Sequence, residues 1–108
     1  MAKRSHAFEL NLNPDAASRT VREAISKAGW ESTEKGDFLV AHEDESKLCC
    51  TISPVAAEIR VREHEGRSRI LLDGSIPGWG VIANRQLPDR LWMLERVIRE
   101  QCAEPQSL

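Results

Sequence analysis

The sequence predicts an α+β domain: an antiparallel β-sheet meander covered by a long C-terminal helix. Three observations carry this. First, Glu58 to Ile76 alternates apolar and polar residues on both sides of Glu65-Gly66, the pattern of a β-hairpin with one buried face. Second, Asn13-Pro14-Asp15 followed by Ala17, Val21, Ala24 and Ile25 opens an amphipathic helix. Third, Leu87, Leu91, Leu94, Ile98 and Cys102 form an apolar stripe at helical spacing near the C-terminus, with Val97 beside it.

Each element follows in order. Phe8, Leu10 and Leu12 alternate with Glu9 and Asn11 and give a first strand. In the first helix, Asn13 is the N-cap, Pro14 takes the first helical position and Gly29 ends the run as a left-handed cap. Strands are expected over 30–34 and 38–43 around a turn at Lys35-Gly36. Either Phe38 and Val40 or Leu39 and Ala41 could face inward. A strand over 48–53 follows, with Leu48, Cys50 and Ile52 on one face, and Pro54 interrupts it.

In the hairpin, a two-residue loop at Glu65-Gly66 sets His64 opposite Arg67, Val61 opposite Ile70 and Ile59 opposite Leu72. The alternative three-residue loop would set Val61 against Arg69. The last helix is expected to begin near Pro88, or earlier at Asn84, with Arg90, Arg96, Arg99 and Glu100 facing water. The order is strand, helix, five strands, helix, in one domain spanning 1–108 with tails at 1–6 and 103–108.

Composition narrows the function classes. The 108 residues carry 41% hydrophobic and 30% charged residues, which suits one domain with a core and a solvated surface. A net charge of −2 speaks against a general nucleic-acid binder, and no apolar run approaches membrane-spanning length. Cys49, Cys50 and Cys102 are odd in number, with two adjacent, a poor disulfide framework. A reducing, cytoplasmic setting is expected. His6, His42 and His64 have no metal-ligand spacing with the cysteines, and neither a catalytic signature nor a cofactor motif is present. A non-enzymatic protein is therefore expected.

The order of elements resembles the helix-grip fold of START-domain-like proteins, in which a curved antiparallel sheet grips a long C-terminal helix. The resemblance spans most of Phe8 to Cys102 and lies in element order, not in a residue motif. The chain is short for that family, by one N-terminal helix and one strand. The resemblance implies an apolar ligand enclosed between sheet and helix.

Three candidate sites result. The outward face of the hairpin carries Arg60, Arg62, Arg67 and Arg69, with His64, and could hold phosphate or an acidic partner surface. The plainer account is a solvated face neutralised by Glu58 and Asp73. Trp79, between two glycines, could be an aromatic lid or contact anchor, or simply a plug on the core. A pocket between sheet and last helix would place Trp79, Leu91, Leu94 and Ile98 on a small apolar ligand; otherwise the aliphatic residues fill one another's space. The expected function is a binding or protein-interaction module that meets a protein partner or a second copy of itself. A lipophilic-ligand carrier, and phosphate or nucleic-acid binding through the arginines, are the alternatives.

Overall fold

The computed structural model describes residues 2–43, 55–76 and 81–103. The chain runs β1 (Ala2–Leu10), α1 (Pro14–Lys27), β2 (Trp30–Lys35), β3 (Phe38–Glu43), β4 (Ala56–His64), β5 (Arg67–Ile76) and α2 (Val81–Ala103). The strands form a fully antiparallel sheet in the order β1-β5-β4-β3-β2. This is the predicted α+β fold. The strand expected over 48–53 lies outside the described residues, and β3 pairs directly with β4, Leu39 opposite Ile59.

The hairpin has the predicted register: His64 opposite Arg67, Val61 opposite Ile70, Ile59 opposite Leu72. Its two turn residues both adopt the left-handed region, Glu65 at φ 52° and Gly66 at φ 77°. Positive φ at both central positions marks the turn whose twist matches the strands. Glycine takes that conformation freely; glutamate does not. Glu65→Asn should therefore raise the stability by about 0.5–1 kcal/mol, read as a higher urea midpoint at unchanged slope. A lowered midpoint would contradict this account of the turn.

Around α1 the local signals act as read. The Asn13 side chain accepts from the Ala16 N–H at 2.9 Å, Pro14 opens the helix, and the Gly29 N–H donates to the Ser26 carbonyl at 3.0 Å. Ala17, Val21, Ala24 and Ile25 are buried. β1 starts earlier than its apolar alternation implies: residues 2–6, expected as a tail, pair with Leu72 to Ile76 of β5. Lys35 lies opposite Phe38, so the β2–β3 turn is Gly36-Asp37, one residue later than expected.

α2 also begins earlier than predicted. It starts at Val81 and carries Pro88 inside, where proline removes an N–H and crowds the preceding turn, at roughly 3 kcal/mol. Extending the helix back through Pro88 places Leu87 in the core at 1% exposure, which offsets part of that cost.

Both helices cover the same face of the sheet. The core joins Phe8 and Leu10 of β1, Leu39 and Ala41 of β3, Ala57 and Ile59 of β4, and Ile70, Leu72 and Ile76 of β5 to the buried stripes of α1 and α2. Of the two registers open for β3, Leu39 and Ala41 face inward. At Gly74 sheet and helix touch: a Cβ there would lie 2.8 Å from Leu91 Cδ2 and 3.0 Å from Leu87 Cδ1.

Candidate functional site

The opposite face of the sheet has neither helix over it. Strand alternation, in the register above, puts Glu58, Arg60, Arg62 and His64 of β4 beside Arg67, Arg69 and Asp73 of β5 on this open face. Two ends of the face differ in electrostatics.

At one end Arg60 is tied down. Its Nη1 donates to Glu58 Oε2 at 3.3 Å and Asp73 Oδ2 at 3.2 Å, and its guanidinium lies 4.7 Å from the centroid of the Phe38 ring. Ser5 Oγ donates to the other Asp73 oxygen at 2.7 Å. A shallow groove of about 450 Å³ opens alongside, lined by Lys3, Ser5, Val40, Glu58, Asp73 and Ser75 among others.

At the hairpin end three arginines make no ion pair among the described residues, although Glu9 of β1 lies opposite Arg69. Arg62 lies directly opposite Arg69, and Arg67 opposite His64. Among the described residues, Arg62, Arg67 and Arg69 have no carboxylate in ion-pair range; the nearby Glu9 carboxylate lies 3.9 Å from His64 Nε2. Like charges opposed across two strands are unfavourable unless an anion sits between them. The four arginines predicted as one group thus divide: Arg60 holds the sheet, while Arg62, Arg67 and Arg69 make no ion pair among the described residues.

The aliphatic residues predicted to line a pocket under α2 lie, as expected, between sheet and helix. Leu91, Leu94 and Ile98 are buried at 1%, 2% and 0% exposure within the core. Neither the groove on the open face nor the second cleft is lined by them. That second cleft, about 240 Å³, lies between α1 and the β2–β3 hairpin, with Val21, Leu39, Ile59 and Val61 on its floor and the Arg22–Glu34 ion pair at its rim. Trp79, Cys49 and Cys50 lie outside the described residues.

Two buried carboxylates escape a reading by hydropathy. Glu43, on the inward face after Leu39 and Ala41, bonds Arg90 and accepts from the Val55 N–H at 3.1 Å. Arg90, expected to face water, instead turns in to meet it. Glu95 is 6% exposed and bonds both His6 Nε2 and, at 2.7 Å, Arg99 Nε. Strand and helix parity could have flagged both, since position 43 shares a face with 39 and 41, and position 95 follows Leu91 by four. The same helical count leaves Trp92 and Met93 off the buried stripe. They are 61% and 54% exposed, and the Trp92 ring meets His6 edge-on at 6.3 Å.

Burial pushes the Glu95 carboxyl up, but the hydrogen bonds from Arg99 and His6, reinforced by their charges, outweigh it and hold the group below its ordinary value. A depressed folded-state pKa adds stability that is present above the unfolded value, about 4.3, and lost as pH falls through the folded one. Acid titration of Glu95→Gln should therefore show a shallower loss of stability below about pH 4.3 than the parent chain. Parallel acid-unfolding curves would contradict this.

No protein-family model matches the chain, and no curated protein matches it. Solved structures do. Ara h 8.0201 superposes with a TM-score of 0.60 at 10% identity, over 96% of this chain and 99% of that one. The vertebrate conserved region of human METTL16 gives 0.54 at 9% identity, over 94% and 100%. TTHA0849 from Thermus thermophilus gives 0.51 at 11% identity, over 98% and 100%. At these identities the likeness is one of fold: the helix-grip-like order read from the sequence is the architecture of the chain.

Proposed function

We propose that this chain is a non-enzymatic binding module whose contact surface is the open face of its sheet, with Arg62, Arg67 and Arg69 seating an acidic protein surface. One observation carries the reading. Three guanidinium groups stand at the end of a well-registered hairpin with no carboxylate partner among the described residues, on a face where Arg60 is already neutralised. Guanidinium forks match carboxylates in geometry, and a carboxylate between Arg62 and Arg69 would relieve their repulsion. The net charge of −2 favours a protein carboxylate over a nucleic-acid backbone as the counter-charge. His6, Glu43, Arg90 and Glu95 are spent on each other in ties between sheet and α2, which suits structural roles.

Calorimetric titration with a glutamate-rich peptide tests this. Binding should weaken as salt rises, and Arg62→Ala with Arg69→Ala should reduce affinity by about tenfold or more. Affinity untouched by the double substitution, or equal for a neutral peptide of the same length, would overturn the reading. Tighter binding to a DNA duplex than to the peptide would move the function to nucleic acid.

A further inference from the structure

Among the described strands β1 is an edge of the sheet, and its pairing with β5 shows which backbone groups it turns away from the sheet. The two-residue turn at Glu65-Gly66 makes His64 and Arg67 a hydrogen-bonded pair, so alternate residues Arg67, Arg69, Leu71, Asp73 and Ser75 of β5 bond toward β4. The intervening residues Ser68, Ile70, Leu72, Gly74 and Ile76 bond toward β1, to Leu10, Phe8, His6, Arg4 and Ala2. Lys3, Ser5, Ala7 and Glu9 therefore aim their N–H and C=O groups away from the sheet. Independently, the Glu9 carbonyl accepts a long 3.4 Å bond from Arg99 Nη1, which confirms that it points outward. Among the described residues, no other bond is made to this row.

We propose that this edge seats a second copy of the chain, the two β1 strands pairing antiparallel about a two-fold axis at His6. Several two-fold registers match outward groups with outward groups. The one centred on His6 sets Lys3 opposite the second copy's Glu9, twice by symmetry, and Ser5 opposite Ala7. Centring on Ser5 or on Ala7 forfeits both ion pairs. Lys3, Ser5, Ala7 and Glu9 all lie on the open face of the sheet, so these pairs form there.

The helix-side face adds an apolar cap. His6 lies on that side, and the exposed Trp92 meets its ring. An axis through His6 brings Trp92 and the adjacent Met93 toward their counterparts, where their exposed surface would be covered. The other sheet edge offers nothing comparable: β2 is shorter, with Glu31 to Lys35 exposed throughout, a usual defence against pairing.

Sedimentation of the full chain tests the proposal. The parent should sediment at twice the monomer mass at micromolar concentration. Glu9→Lys, which sets lysine against lysine, should weaken the dimer at least about tenfold, and Lys3→Glu should do the same. The double variant Lys3→Glu with Glu9→Lys restores opposite charges and should restore the dimer. Ala7→Pro, at an outward N–H, should give a monomer with an unchanged circular-dichroism spectrum. The charge swap decides the matter even if that proline fails to fold. A parent that stays monomeric at its solubility limit, or a dimer indifferent to Glu9→Lys, would overturn the proposal. A dimer lost with Arg62→Ala and Arg69→Ala but not with Glu9→Lys would also overturn it and move self-association to the open face.

Discussion

Arg90→Ala should lower the stability of the chain by about 3 kcal/mol, the largest loss expected from a single residue outside the aliphatic core. Its partner Glu43 has a side chain only 9% exposed, and Arg90 supplies the sole positive charge bonded to it among the described residues. Without Arg90 the carboxylate keeps one donor, the Val55 N–H. A buried charge left with so little compensation is costly to keep in the folded chain. The effect sits at the lower end of the range for broken buried pairs because Arg90 is 20% exposed and the site is not wholly dry. Pairing Arg90→Met with Glu43→Gln should recover much of the loss, since glutamine still accepts from Val55 and carries no charge. Urea unfolding measures both variants, and an Arg90→Ala midpoint equal to the parent's would show that the pair does no structural work.

Gly74→Val should cost about 2–3 kcal/mol, at the upper part of the range for overpacking. The new Cβ alone would sit within 3.1 Å of atoms of both Leu87 and Leu91. Those atoms end flexible side chains, but both residues are 1% exposed and have little room to yield. Leu91→Ala should open space for the valine. The double variant should then be more stable than the sum of the single effects by about 1 kcal/mol or more. Strict additivity would mean that sheet and helix are not in contact at this point. That outcome would revive the reading of an apolar ligand held beneath α2, which the close approach at Gly74 does not support.

The hairpin was legible because two independent signals agree there. Period-two alternation sets the face, and the glycine in the turn sets the loop length, so one register alone puts Ile59, Val61, Ile70 and Leu72 together on the core face, Val61 only partly buried. The β2–β3 hairpin was less legible because apolar residues fill both parities of β3. Phe38 and Val40 can lie on the open face because Arg60 crosses from β4 to cover the Phe38 ring, a contact between strands that no local pattern contains. The start of α2 was misread because proline is a local stop signal, whereas the gain from burying Leu87 is tertiary. Glu43 and Glu95 were missed for a related reason. A charged residue on an apolar face is judged by its own type, but its tolerance depends on partners far along the chain: Arg90 for one, His6 and Arg99 for the other. Of the candidate surface, the outward set of arginines was visible in sequence; which of them were already neutralised was not.

The pairing of β1 with β5 has a consequence for how the molecule comes to exist. The two strands are joined by contacts such as Ser5 to Asp73, 68 positions apart, while the β4–β5 hairpin closes across two residues. Closing a short loop is fast and nearly free of chain entropy; closing the long one is neither. The hairpin is thus the natural nucleus, and β1, which pairs with β5 alone among the described strands, must wait for it. Until β5 has been synthesised, β1 has two unsatisfied edges in place of one. The order of assembly, more than the strength of any single contact, then sets how long a newborn chain stays exposed to its neighbours.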